Sequence, residues 1–232
     1  MTVAAIMQPS YIPWAGYLAM IERADVFVFL DSVQFARRSW QQRNRIKSSA
    51  GELMLTIPVL KKGRRDQTIN EVEIDRTIKF AEKHEAAIRN NYAGAPNFDE
   101  FAPVLFDFLR QDHRYLSTLT IDIIEWLMRS IGFTTPTYRS SALGATGRKD
   151  ELLLAICREL DADTYLSAPA SKDYLDESAC FPGSGVEIVY HKYEHPVYPQ
   201  QFGDFLPYMS AVDMLFNTGN DCREILMSGV AE

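Results

Sequence analysis

At 232 residues, 47% hydrophobic and 24% charged, the chain has the composition of an ordinary globular protein with material for one sizeable core. A net charge of −7 argues against general nucleic-acid binding, and no apolar run approaches the ~18 residues that a membrane span needs. Cys157, Cys180 and Cys222 are odd in number and far apart, so they suggest neither a disulfide framework nor a metal cluster. No signal-peptide pattern opens the chain, and a cytoplasmic location is expected.

The first elements read as strand, tight turn, helix, strand: Val3 to Gln8, a turn with two prolines and a glycine ending at Gly16, a helical run from Tyr17 to Arg23, and Asp25 to Asp31. That order opens a parallel α/β sheet, whose ligands bind beyond the carboxyl ends of its strands. Gln8 and Asp31 stand at two such ends. Leu53 to Val59 reads as a third strand, buried on both faces and closed by Pro58, with Gln67 to Ile74 as a short edge strand. From about 77 to 131 the pattern is helical, with Asn97 as an N-cap and Gly132 as a stop, and predicts a helical insertion in a single domain. The α/β alternation then resumes: strand 135–139, helix 148–160, strand 163–167, a short helix at 172–175 and strand 186–190. A last helix is marked by the Ser210/Asp213 capping box and Gly219.

Several residues have the chemistry of a site. Nine cations fall between Arg37 and Arg65 against one acid, Glu52. Of these, Arg38, Arg43, Arg45 and Lys47, with Asn44, are candidates to grip a phosphate or carboxylate, while Lys61 to Arg65 reads as a solvated turn. Ser140 and Ser141, with Lys149, lie between a strand and a helix, where amides and hydroxyls attract phosphate. Gln8 and Gln34 are candidates to orient a substrate, and Tyr11, Trp14 and Tyr17 to wall it. His195 sits in a loop with Tyr198 and Gln200 and is, with Asp31, a candidate general base. No residues stand at convincing metal-ligand spacing.

With those residues laid out, the chain resembles the WbqC-like protein family over nearly its whole length. The carrying stretches are Gln8-Pro-x-Tyr-x-Pro-Trp-x-Gly-Tyr17, Leu30-Asp-x-Val-Gln-Phe35 and Trp40-Gln-x-Arg-Asn-Arg-Ile-Lys47, with later matches at Tyr198-Pro-Gln200 and Ser210-x-x-Asp-x-Leu-Phe-Asn217. The resemblance implies a place in surface-polysaccharide (O-antigen) biosynthesis and the addition of glycine or another acyl group to an amino sugar. The chain is also similar, more distantly, to pantothenate synthetase and related nucleotidylyltransferases. Trp14-Ala-Gly16-Tyr17 stands where those enzymes carry two histidines, so the resemblance implies their Rossmann-like fold and nucleotide-shaped cleft without the histidines' charge.

The expectation is therefore a Rossmann-like α/β protein with a mostly parallel sheet. Its expected activity is transfer of an acyl or aminoacyl group onto the amine of a nucleotide-linked sugar. A free-acid donor would require ATP and magnesium, and a thioester would not. The competing expectation is a non-catalytic nucleotide-sugar-binding protein. The sequence leaves both choices open, along with oligomeric state.

Overall fold

The computed structural model describes residues 1–231. Its centre is a five-stranded parallel sheet. The chain enters at β1 (Val3–Met7), passes through α1 (Ala15–Glu22) and returns in β2 (Val26–Phe29). An antiparallel hairpin follows, β3 (Arg43–Ser48) with β4 (Gly51–Thr56). Three helices come next: α2 (Phe80–Tyr92), α3 (Phe98–Arg110) and α4 (Leu116–Ile131). The sheet is then completed by β5 (Thr137–Arg139), α5 (Asp150–Glu159), β6 (Thr164–Ser167), α6 (Lys172–Asp176) and β7 (Glu187–Tyr190). Helices α7 (Ala211–Thr218) and α8 (Cys222–Ser228) follow.

The strand order is β5-β2-β1-β6-β7, with every pairing parallel. Strand alternation explains the two layers. Ala4, Ile6, Val26 and Val28 face one side and pack with Leu153, Ile156 and Cys157 of α5. Ala5, Phe27 and Phe29 face the other and join a larger cluster with α1, α7 and α8. A parallel sheet needs both faces covered, and these strands are buried accordingly. Full burial of Phe27 and Phe29 is worth about 2–3 kcal/mol each.

The helices between β4 and β5 form for the reason their spacing gives. Phe98, Phe101, Ala102, Leu105, Phe106 and Leu109 make one buried stripe on α3, which packs against α2, α4 and α7. Gly132 ends α4 in the left-handed region (φ 82°). The same apolar cluster takes in Ile46 and Leu55 of the hairpin, so these helices cover the hairpin as well as the sheet helices.

Several expectations are corrected. The stretch around Leu53 is not a central strand buried on both faces. It alternates in exposure, pairs only with β3 and stops at Thr56, before Pro58. A Gly51 turn (φ 104°) folds it straight back on β3, and periodicity alone does not choose a strand's partner. Gln67 to Ile74 forms isolated bridges and a 3-10 turn with a Thr68/Glu71 capping box rather than an edge strand. Asn97 stands at the head of α3 but its amide bonds Phe216 O instead of capping. Ser210 does cap α7 through the Val212 amide, whereas Asp213 turns inward to other partners. Helix α8 lies beyond the expected last helix.

Candidate functional site

In an open parallel sheet the crevice opens where neighbouring strands send their connections to opposite faces. Here that point lies between β1 and β6, since the chain winds outward through β2 and β5 on one side and through β7 on the other. A cavity of about 320 Å3 opens beyond the end of β1. Its floor is the exit of β1 (Met7, Gln8, Pro9 and Ser10) and its walls are Trp14 and Tyr17 from the head of α1. The loop before β3 adds Ser39, Trp40 and Gln41, β3 adds Asn44 and Arg45, and Tyr208 closes one side.

The turn that shapes this floor is held in an uncommon conformation. Ile12 has φ 36°, costly for a β-branched residue. Asn44 holds it there, since its amide donates to the carbonyls of Tyr11 (3.1 Å) and Ile12 (2.9 Å). The carbonyl of Trp40 accepts from Ser10 Oγ and from the Tyr11 amide, which pins the Trp40 loop to the same turn. Tyr17 donates its hydroxyl to Gln8 O at 3.2 Å.

Among the described residues, Arg45 is the one cation lining the cavity. Its Nε donates to Tyr208 O (3.1 Å), its Nη1 to both oxygens of Glu52 (2.8 and 2.9 Å), and its guanidinium lies over the Trp40 ring. Nη2 makes no hydrogen bond among the described residues. The other candidate cations do not converge here. Lys47 is buried and donates from Nζ to Asp204 O, Arg43 has a buried Nε without a partner, and Arg38 is exposed.

Of the expected site residues, Gln8, Trp14, Tyr17, Asn44 and Arg45 line the cavity together. Tyr11 does not: it is fully buried, and its hydroxyl donates to His84 Nδ1 at 2.8 Å. Asp31 is fully buried outside the cavity. Its carboxylate accepts Ser140 Oγ (3.1 Å), Ser141 N (2.9 Å) and Ser141 Oγ (2.9 Å). The serine pair thus joins the end of β2 to the turn after β5. Lys149 is exposed and lies away from the cavity, as does Gln34, which bridges to Thr68. Tyr198 donates to Asp213 (2.8 Å), and Gln200 braces Tyr198 and Leu206. Asp213 also accepts from Tyr92 (2.6 Å), and burial raises its pKa.

His195 backs onto the cavity wall. Its ring lies 6.3 Å from Trp14 and 5.5 Å from Tyr208, centre to centre. Nδ1–H donates to the Pro196 carbonyl, which can only accept, so Nε2 carries the lone pair. That nitrogen is buried and has no hydrogen-bond partner among the described residues, and burial lowers the ring's pKa. It is therefore neutral at pH 7, with its basic nitrogen unspent.

Trp40 and Tyr208 are the walls that reading the sequence did not single out. Trp40 had a signal, since it opens a motif dense in polar residues. Tyr208 had none: a loop distant in sequence brings it to the cavity.

The profile of the WbqC-like protein family matches residues 8–225, a span that contains every cavity-lining residue except Met7. The chain belongs to the WbqC-like protein family. It is 35% identical, over 97% of its own length and 98% of the other, to the uncharacterized protein Rv1507c of Mycobacterium tuberculosis (strain H37Rv). No solved structure matches it. Two of the three motifs that carried the resemblance meet at the cavity. In this WbqC-like chain the first forms the floor and the Trp14–Tyr17 wall, and the third forms the Trp40–Arg45 wall. The second, Leu30 to Phe35, lies outside the cavity, with its Asp31 locked to the serine pair.

Proposed function

We propose that the cavity beyond β1 binds a nucleotide-linked amino sugar, and that the protein recognises this precursor in surface-polysaccharide assembly. One observation carries this reading: four aromatic rings, Trp14, Tyr17, Trp40 and Tyr208, share the cavity lining with side-chain amides and Arg45. Aromatic faces accept a nucleobase or the C–H face of a sugar. Amides and hydroxyls fix the orientation of a ring bearing polar groups, and Arg45 supplies charge for a phosphate. Trp40 and Tyr208 are each about half exposed (49% and 48%), as an unfilled stacking surface would be. A nucleotide-linked substrate would place the protein in the cytoplasm.

A second reading, transfer of an acyl or aminoacyl group to the sugar's amine, is favoured by His195. Removal of the amine proton needs a neutral base near pH 7, and Nε2 of His195 is one. It would have to be reached past the Trp14–Tyr208 wall. Asp31, with three donors on its carboxylate, is left a positioning role. The donor would be a thioester, or a free acid activated by ATP and magnesium.

Ligand binding tests the first reading. A ligand that binds only the folded state raises the unfolding temperature. UDP- and dTDP-linked amino sugars should shift wild type, and Trp40→Ala should lose most of the shift. Equal shifts in both proteins, or none in either, would remove the cavity as the site. Coenzyme A thioesters and ATP in the same panel address the second reading, with turnover compared in His195→Gln.

A further inference from the structure

A side-chain amide looks the same after a half-turn, so its oxygen and nitrogen are ambiguous by shape. A chain of amides anchored on a backbone N–H is not ambiguous. The Ala36 N–H can only donate, and it meets Gln41 Oε1 at 3.1 Å. That leaves Gln41 Nε2 facing the other way, where it donates to Gln8 Oε1 at 2.7 Å. Gln41 is buried, and the fixed Ala36 donor sets its orientation. Gln8 is left with its NH2 free at the cavity, because its oxygen is taken.

The other side-chain amide and the serine hydrogens of the lining are engaged. The Asn44 amide is spent on Tyr11 O, Ile12 O and the Arg45 amide. Ser10 and Ser39 give their hydrogens to Trp40 O and Ala36 O. The unspent amide and guanidinium groups, Gln8 NH2 and Arg45 Nη2, are both donors. These two donors favour a ligand that presents oxygen acceptors to them.

We propose that Gln8 is a specificity-determining donor for a phosphoryl or carboxylate oxygen of the ligand, and that Gln41 is the positioning residue that fixes its polarity. This rests on the ligand reading above and narrows it: the acceptor oxygen, not the sugar's amine, is what Gln8 holds. A phosphate and a carboxylate share the required chemistry, so both sources are put to the test.

The decisive variants reverse the relay. In Gln41→Glu the carboxylate still accepts from Ala36 N–H but has no hydrogen for Gln8. Gln8 then turns, gives its NH2 to Glu and offers its oxygen to the ligand. Calorimetric titrations would use uridine diphosphate, a UDP-linked amino sugar and N-acetylglycine. Affinity for the probe that wild type binds should fall about tenfold or more in Gln41→Glu, the effect of one lost charge-assisted hydrogen bond. Diphosphate binding identifies the phosphoryl source, and N-acetylglycine binding the carboxylate. Gln8→Met, at an exposed position, should fall by a similar factor, with its fold checked by circular dichroism because the variant also takes the acceptor from Gln41 Nε2. The double variant should lose no more than the worse single one, since both remove the same bond. Binding by Gln8→Met within twofold of wild type would overturn the donor assignment.

A ligand-free arm keeps the relay separable from the ligand. In a glutamine-15N-labelled protein, the Gln8 side-chain NH2 should exchange rapidly with water in wild type and slow several-fold in Gln41→Glu. Unchanged exchange would overturn the relay. If no probe binds wild type, the ligand reading and the donor assignment both fail, and the exchange arm decides the amide orientation by itself.

Discussion

The Trp14 indole lies so close to Gly16 that a Cβ at residue 16 would sit 2.2 Å from the ring. The cavity wall and the first turn of α1 are therefore packed backbone to ring, with no space for even a methyl group. Trp14 also meets Tyr193, Tyr208 and His195 on its other sides, so it has nowhere to retreat.

Gly16→Ala should thus move Trp14 and distort the cavity. The expected cost is about 1–3 kcal/mol of stability, the usual range for overpacking, with an altered tryptophan emission spectrum. Wild-type stability together with an unchanged spectrum would contradict the contact.

Asp31 and its two serines act as a clasp between β2 and the turn after β5. Asp31→Ala leaves buried Ser140 without one of its partners and removes three bonds to a carboxylate. Denaturant unfolding should show a loss of about 2–4 kcal/mol at an unchanged slope. A loss below 1 kcal/mol would mean that the clasp adds little.

His84 and His191 set an acid limit. Burial holds both rings neutral, each with its pKa lowered to about 4, and both are nearly unexposed. His84 accepts from Tyr11, and His191 accepts from Arg23 while facing Gly16 O. In the unfolded chain a histidine takes its proton near pH 6.5. Stability is therefore complete above pH 6.5 and falls as pH drops from 6.5 toward 4, by up to about 3 kcal/mol per ring. His84→Gln, which can still accept from Tyr11, should flatten that slope. A pH profile identical to wild type would refute the assignment.

Lys47 ties the loop that carries Tyr208. Its ammonium donates to Asp204 O, and its charge offsets part of the rise in pKa that burial imposes on the Asp213 carboxylate nearby. Lys47→Met should keep the volume and release the loop. Amides of residues 199–208 should then exchange about tenfold faster while those of β1 and β2 stay protected. Uniform acceleration across the sheet would instead indicate global destabilisation.

The sequence by itself determined the layered α/β class, because runs such as Val26 to Phe29 and the 3.6-residue stripe of α3 bury only one way. It also put Gln8 at the end of the first strand of a parallel sheet, beside which a cavity opens in the folded chain. What it could not decide was partnership. Arg43, Arg45 and Lys47 alternate along one strand and look alike on paper, yet their fates differ. Arg45 meets Glu52 and the Tyr208 carbonyl, Lys47 is buried against Asp204, and Arg43 stays outside the cavity. Asp31 and Ser141 are 110 positions apart, and Tyr208 reaches the cavity from a loop near the C-terminal end of the chain. Hydrogen bonds and ion pairs are short-range, so which groups are spent and which stay free depends on distances that only the folded chain sets. That is why the sequence could supply the candidate donors, and only the tertiary structure left Gln8 with its NH2 unspent.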